Sequence, residues 1–350
     1  MIYIILMTRY QYILKNKNGL TLVEVIIAVV VFAMIIPGIV MFLNNITQGF
    51  TTYECISSLK KNNQETLNRI YASLLSSRRI FENNTDGTLY LSKLYLTGCP
   101  PLLTGSKLPL IEENGTLSPG TTGFISGSAG NELFFAANDS TTVMMDVLDS
   151  SSTKNTIRLD LYRFYYYYLT AENPKSIGDK PSYRIVEWKS VTYVDYIQLM
   201  NVSGGASNTL LNNTVAALYK NNVKYAWNSS MTDVTKAFYS LSQAGSILAV
   251  NSPSIDREKC TVLTAMITGI MGGGFRYGIS PNSAGWARAP KTVPQYGIAS
   301  GNFPGGFEVT IVGSSSGRKT LIRSILVAQG SMKSIIADDQ LIVCTCRDLW

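Results

Sequence analysis

The hydrophobic pattern changes character twice along the chain. From Val25 to Leu43 no charged residue interrupts an almost wholly apolar run. As helix, Leu20 to Leu43 would span about 36 Å, enough to cross a bilayer core of about 30 Å. Beyond it the apolar positions thin into a stripe. Ile46, Phe50, Tyr53, Ile56, Leu67, Ile70 and Leu74 recur at helical spacings or their sums. Lys60, Lys61, Glu65 and Arg69 fall mostly off that stripe, as on the wet face of an amphipathic helix. The spacing predicts one near-continuous helix from about Leu20 to about Arg79, apolar all round over 20–43 and amphipathic over 44–80. Pro37-Gly38 lies inside it. Proline removes a backbone hydrogen bond and clashes with the preceding turn, so a kink is expected there, as membrane helices tolerate.

From residue 81 to residue 350 the pattern is one of turns and short strands. Two runs, 157–169 and 183–197, are rich in aromatic and β-branched residues, with Pro174, Gly178 and Pro181 between them. They predict paired antiparallel strands. Alternate members of the Tyr165–Tyr168 run are expected to divide between core and cross-strand pairs. Further on, Phe307, Val309 and Ile311 alternate with Glu308 and Thr310, while Leu321, Arg323, Ile325 and Val327 share one face of a partner. Gly313 to Gly317 would close that hairpin. Stretches rich in Gly, Ser, Thr and Pro at 114–130 and 138–156 read as loops. Residues 200–260 carry no pattern that can be placed and form a candidate insertion.

Composition removes several classes of chemistry. No histidine occurs in 350 residues, which excludes Ser-His-Asp and Cys-His nucleophile systems and histidine metal sites. Cys55, Cys99, Cys260, Cys344 and Cys346 are too scattered for a zinc pattern. In an oxidising compartment some would pair. Cys344 and Cys346 alternate on one face of an apparent strand, so each is expected to pair elsewhere rather than with the other. Cys99 and Cys260 are candidate partners, and Cys55, on the predicted helix, is the odd thiol. The formal charge is +7. Three of the 30 basic residues, Arg9, Lys15 and Lys17, precede the apolar run with no acidic residue among them. The remainder has 27 basic against 23 acidic residues, a net of +4 without a dense Lys/Arg cluster, so nucleic acid is not indicated as a partner.

Two loops imitate ligand sites. G-S-S-S-G-R-K-T (313–320) has one residue too few between its glycines for a phosphate loop, and strand patterns on both sides where a helix should follow. Gly272-Gly273-Gly274 lacks any supporting context. E-N-N-T-D-G (82–87) resembles the start of a calcium loop, with Glu82, Asn84 and Asp86 as weak ligand candidates. Its twelfth position would be Lys93, where a bidentate glutamate is needed, so an Asx-rich turn is expected. Asp338-Asp339 reads as a solvated acidic pair. No constellation supports catalysis, and no cofactor is implied.

The start of the chain carries the most specific signal. Residues 17–25 read K-N-G-L-T-L-V-E-V, which places one carboxylate, Glu24, at the head of the membrane-length segment. A lone acid at the edge of hydrocarbon is costly and calls for a partner. A secretory signal peptide fits poorly, because its apolar region is shorter and ends in small residues. The basic residues before the run place the N-terminus in the cytoplasm, so everything beyond residue 43 is exported. Met7 offers an alternative start that would leave a compact basic leader. The pattern resembles the processing site of type IV prepilins and of the pseudopilins of type II secretion. That resemblance implies a leader over residues 1–19, cleavage between Gly19 and Leu20 by a membrane prepilin peptidase, and N-methylation of Leu20. Glu24 then takes the place of the family's assembly glutamate, with Thr21, Leu22, Val23 and Val25 also fitting. Leu20 departs from the phenylalanine commonest there, although another aliphatic residue is tolerated. In a filament, the helix could also unwind locally near Pro37.

A second resemblance lies near the other end. An apolar segment at 262–271 is followed by G-F-R-Y-G, by a tryptophan in G-W-A-R-A-P, then by F-P-G-G-F-E-V-T-I-V-G and R-K-T-L-I-R-S-I-L-V. This order is similar to the closing strands of J-type minor pseudopilins and W-type minor pilins. Together the resemblances imply an α+β pilin fold, a long N-terminal helix packed on an antiparallel β-sheet. They imply a structural, non-enzymatic minor pseudopilin, held in the inner membrane by its single helix. It would assemble at the tip of a type II secretion pseudopilus with other pseudopilins or minor pilins and the inner-membrane assembly platform. The alternatives are a type IV pilus minor pilin that initiates fibres, or a pilin-anchored adhesin or DNA-capture module.

Overall fold

A computed structural model describes residues 21–114, 129–171, 183–202, 208–263, 277–279, 306–329 and 335–348. Its contacts divide the chain at Tyr53/Glu54. Helix α1 covers Leu22–Leu75 and runs unbroken through Pro37. It stops short of the expected Arg79 because Ser77–Phe81 form strand β1, antiparallel to β3 (Leu133–Leu148). Ser76 and Ser77 are weak helix formers whose hydroxyls compete for the backbone. Ile80 and Phe81 then turn to opposite faces of the sheet and enter separate cores.

The buried stripe of α1 differs from the one expected. Cys55, Leu59, Leu67, Ile70 and Leu74 are buried together with Asn63 and Thr66, whereas Ile46, Phe50 and Tyr53 are exposed. The spacing 55, 59, 63, 66, 67, 70, 74 is a regular helical face. A cysteine, an asparagine and a threonine occupy it where a purely apolar count passes over them.

Fourteen strands form one sheet among the described residues. Its spine is β4 (Lys154–Ala171), paired with β3 on one side and with β5 (Tyr183–Ser190) and β6 (Tyr193–Asp195) on the other. Strand β5 also pairs with β10 (Arg257–Val262), and β11 (Tyr277–Ile279) joins it to β13 (Arg318–Gln329). The latter lies between β12 (Phe307–Val312) and β14 (Ile335–Cys346). The sheet is mixed rather than wholly antiparallel. Strand β2 (Ile111–Glu112) runs parallel to β12, and β7 (Tyr225–Trp227) parallel to β6.

The two aromatic runs pair antiparallel as expected, Tyr165 opposite Lys189 and Leu169 opposite Ile185. The second run ends at Ser190, and Tyr193–Asp195 pair separately with β4 before a short helix, α3 (Tyr196–Asn201). The loop read at 138–156 is instead mostly a hairpin of β3 and β4. Thr141 and Thr142 pair with Asp160 and Leu159, and register shifts absorb the polar residues around Asn138. Only 149–153 turn, with Asp149 Oδ1 accepting from the Ser151 and Thr153 amides at 2.8 Å each. Composition signalled a loop there, but β-branched threonines facing a long partner strand favour the ladder. The expected closing hairpin is present, Val312 opposite Lys319 and Phe307 opposite Ser324, with Gly313 at φ +94° in its turn. Residues 172–182 between the two aromatic runs, most of 114–130, Gly272–Gly274, Arg276, Trp286 and the prolines around it lie outside the described residues.

Both faces of the sheet are covered. On one, residues 55–74 of α1 pack over Phe135, Tyr165, Tyr167, Leu169, Val309, Ile322 and Leu326. On the other, Phe134, Phe164, Tyr166, Tyr168, Trp188 and Trp227 form an aromatic core with Tyr90 of α2 (Thr85–Leu91). The tyrosine run thus alternates between two interiors, and all four rings are buried. Residues 200–260 continue the same sheet through β7, β8 (Phe238–Leu241) and β9 (Ile247–Ala249). Helix α4 (Thr209–Lys220) packs Leu211, Val215 and Leu218 against Leu161 and Val194.

Two outcomes follow from this burial. Ile70 is fully buried between helix and sheet, so Ile70→Ala should cost about 2–5 kcal/mol, read as a lower urea midpoint with unchanged slope. Glu132 is buried, and that burial pushes its carboxyl up to about 7. A carboxyl raised on folding costs nothing while both states are protonated. The cost grows once the unfolded chain ionises and is complete above the folded value. Glu132→Gln should therefore raise Tm more at about pH 8 than at about pH 5, by up to about 3 kcal/mol in stability.

Candidate functional site

The described chain opens on a reciprocal cap. Thr21 precedes the first helical residue, and Glu24 stands three residues on. Glu24 Oε2 accepts from the Thr21 amide at 2.9 Å and from Thr21 Oγ1 at 3.0 Å, while the Glu24 amide donates to Thr21 Oγ1 at 3.3 Å. Thr-x-x-Glu in this geometry is a capping box, which satisfies helix-end donors that would otherwise lack partners. Both side-chain bonds fall on Oε2, so Oε1 remains an acceptor that can point outward. Gly19 and Leu20 lie outside the described residues.

Farther along α1, polar side chains tie the helix to the sheet. Arg69, placed by the sequence pattern on the solvent side, reaches across to Glu187 of β5. Its Nε donates to Glu187 Oε2 at 2.8 Å, and Nη2 donates to Oε1 in a second, parallel bond. Tyr167 adds its hydroxyl to the same carboxylate at 2.9 Å. The bond to Glu187 raises Arg69 above the ordinary guanidinium value, while burial holds the Tyr167 phenol far above its usual range. Asn63 Nδ2 donates to Ser324 O at 3.1 Å and to Asp338 Oδ2 at 3.0 Å. Asp338 and Asp339, read as a solvated pair, are therefore both engaged. Asp339 accepts two bonds from Arg323, at 3.1 and 3.0 Å. A carboxylate pair on a strand looks like surface in sequence, because Asn63 and Arg323, which engage Asp338 and Asp339, are remote along the chain.

The calcium-like loop folds as a helix cap. Asn84 Oδ1 accepts from the Gly87 amide at 2.7 Å and so caps α2. Glu82 accepts from Asn84 Nδ2 and from the Ile111 amide, each at 2.9 Å. A Cβ at Gly87 would stand 2.0 Å from the Glu82 carbonyl oxygen, which accounts for glycine there without an ion. Asp86 lines the same cavity of about 230 Å³, but so do Arg79 and Arg318. Arg318 Nε donates to Asp348 Oδ2 at 2.6 Å, and Arg79 Nη1 to Met231 O at 2.8 Å. Burial lowers Arg79 to about 10 and raises Asp348. Among the described residues no group of three or more His, Cys, Asp or Glu side chains gathers.

The five cysteines stand as free thiols in two groups. Cys55, Cys344 and Cys346 are buried in the helix–sheet core, where burial raises Cys55 to about 11 and Cys344 to about 12. Cys99 and Cys260 lie together beside the opposite core.

Against this geometry, comparison with known proteins adds one finding. A family model described as "Prokaryotic N-terminal methylation motif" matches residues 14–36. No curated protein and no solved structure matches the chain. The chain therefore carries the signal of a type IV pilin-like or pseudopilin precursor, one that implies processing by a prepilin peptidase and assembly with other pilins. It points to a structural role. Among the described residues one helix, at the N-terminal side, is long and apolar enough to cross a membrane, which fits a single-pass anchor.

Sequence pattern had marked Glu24 and Thr21 but not the cap that joins them, for which T-x-x-E before an apolar run was the available signal. Arg69 and Glu187 had no such signal. Removing Arg69, whose guanidinium is half exposed, leaves the buried Glu187 carboxylate with the Tyr167 hydroxyl alone, so Arg69→Met should cost about 1–3 kcal/mol in denaturant. Arg69→Met with Glu187→Leu should recover most of that loss. A double variant as unstable as the single one would show that the pair does not act as a unit.

Proposed function

We propose that this chain is the precursor of a minor pseudopilin that assembles at the tip of a type II secretion pseudopilus. The observation that carries the reading is Glu24, an acid at the head of a membrane-length helix inside a matched methylation motif, capped through one oxygen. Cleavage after Gly19 frees the α-amine of Leu20, which is then methylated. In a bundle of apolar helices a carboxylate needs a counter-charge, and the amine of a neighbouring subunit supplies it at Oε1. Breaking a buried pair leaves an uncompensated charge worth about 3–5 kcal/mol, so the pair sets the axial register between subunits.

The remaining assignments follow from the same physics. Arg9, Lys15 and Lys17 hold the leader in the cytoplasm, and residues 44–350 are exported across the inner membrane. Residues 20–43 anchor the precursor, the amphipathic half of the helix runs from residue 44 to Leu75, and the chain from β1 onward forms the β-rich body, with 200–260 as an insertion that widens its sheet. A body of about 270 residues is bulky for a repeating helical lattice, whereas a tip leaves room above it. Prepilin peptidase, other pseudopilins and the assembly platform are the partners.

Glu24→Ala should be processed normally yet enter filaments between about a hundredfold and a few thousandfold less, given the energy above. Gly19→Ala should accumulate uncut, seen as intact mass. Wild-type incorporation of the Glu24 variant, or N-terminal sequencing that starts elsewhere than Leu20, would overturn the assignment.

A further inference from the structure

Cys260 lies on β10, opposite Trp188 of β5. Cys99 ends the turn that follows α2, its amide donating to Leu96 O at 2.9 Å. Remote in sequence, the two residues pack against the same aromatic core, where the Tyr168 hydroxyl touches Cys260 and the residue that follows Cys99. That hydroxyl stands 4.0 Å from Cys260 Sγ and donates to Pro100 O at 2.8 Å. Arg257 Nη1 donates to Cys99 Sγ at 2.8 Å and to Thr97 O at 3.0 Å. Trp188 Nε1 fixes the start of the same turn through Tyr95 O at 3.1 Å. Side chains from β4, β5 and β10 thus hold the 95–100 turn, and Cys99 with it, against the strands that flank Cys260. Both cysteines are partly exposed, whereas Cys55, Cys344 and Cys346 are sealed beneath the helix.

We propose that Cys99 and Cys260 form a disulfide once the domain meets an exported oxidant of the protein dithiol/disulfide class, pinning the segment after α2 to β10. This rests on the reading that residues 44–350 are exported, since such bonds persist in oxidising compartments. Cys99 is the first nucleophile: Arg257 Nη1 stands 2.8 Å from its sulfur, while burial pushes the Cys260 thiol up to about 12. The Cys99 thiolate attacks the oxidant's disulfide and expels one of its sulfurs as thiolate. The Cys260 sulfur then attacks the mixed disulfide, closes the Cys99–Cys260 bond and releases the second. Two electrons and two protons pass from the pair to the oxidant, which leaves as a dithiol.

The test uses the full chain in detergent, treated with oxidised glutathione, alkylated after denaturation and mapped by mass spectrometry. A Cys99–Cys260 linked peptide is expected, two hydrogens lighter than its separate parts, with Cys55, Cys344 and Cys346 alkylated. Reductant should lower the urea midpoint of the wild type and leave Cys99→Ser/Cys260→Ser unmoved. Separate alkylation or glutathionylation of the two thiols, with no linked peptide, would overturn the proposal. The same mapping on cells trapped with alkylator separates the two readings. A pair linked in the tube but reduced in cells refutes export of the domain, while the pair chemistry stands.

Discussion

A helix laid on a sheet by apolar contact alone can slide, because hydrophobic burial has no direction. Here the position is fixed by Arg69, whose guanidinium grips the Glu187 carboxylate from two nitrogens while Tyr167 closes on the same group. Asn63 adds a second pin, to the Ser324 carbonyl and to Asp338. Ser77 Oγ adds a third just past the helix end, donating to Arg347 O at 2.8 Å. The three contacts reach β5, the β13–β14 pair and the chain beyond β14. Residues 55–74 therefore hold one register against strands drawn from distant parts of the sequence.

The elements with strong local periodicity were legible in the sequence. The apolar span, the aromatic strands and the closing hairpin each follow from patterns within a few residues, and the structure places them as that logic requires. What failed depended on partners remote in the chain. The 138–156 stretch looks like a loop until β4 is set opposite it, and Asp339 looks solvated until Arg323 comes alongside. The helix stripe was displaced because Cys55 and Asn63 are not counted as apolar, though both are buried. At the candidate site, the capping partnership of Thr21 and Glu24 was readable from spacing, while the Arg69–Glu187 pair was not, since nothing local links residues in a helix and a strand.

The four residues T-L-V-E serve two demands. As a capping box they give the helix a defined first turn, with a negative charge near the positive end of its dipole. As part of the methylation motif they fall where a precursor signal is read. The two uses do not compete for the same atoms, because the cap engages Oε2. A helix start that is already ordered gives any docking amine a carboxylate of fixed position, which lowers the entropy lost on pairing.

The bond from Asn63 to the Ser324 carbonyl joins residues 261 positions apart, and its consequence is temporal. During synthesis the membrane-length segment and the amphipathic turns behind it emerge first, but β12, β13 and β14, which complete their bed, are made last. Until the ribosome finishes, the underside of residues 55–74 has only the part of its cover that β3, β4 and β5 supply. The nascent chain must either be shielded by a chaperone or stay unfolded until those strands arrive. Pairings of such long sequence separation are also slow to find. Maturation of this subunit is then set by completion of its tail, not by insertion of its head.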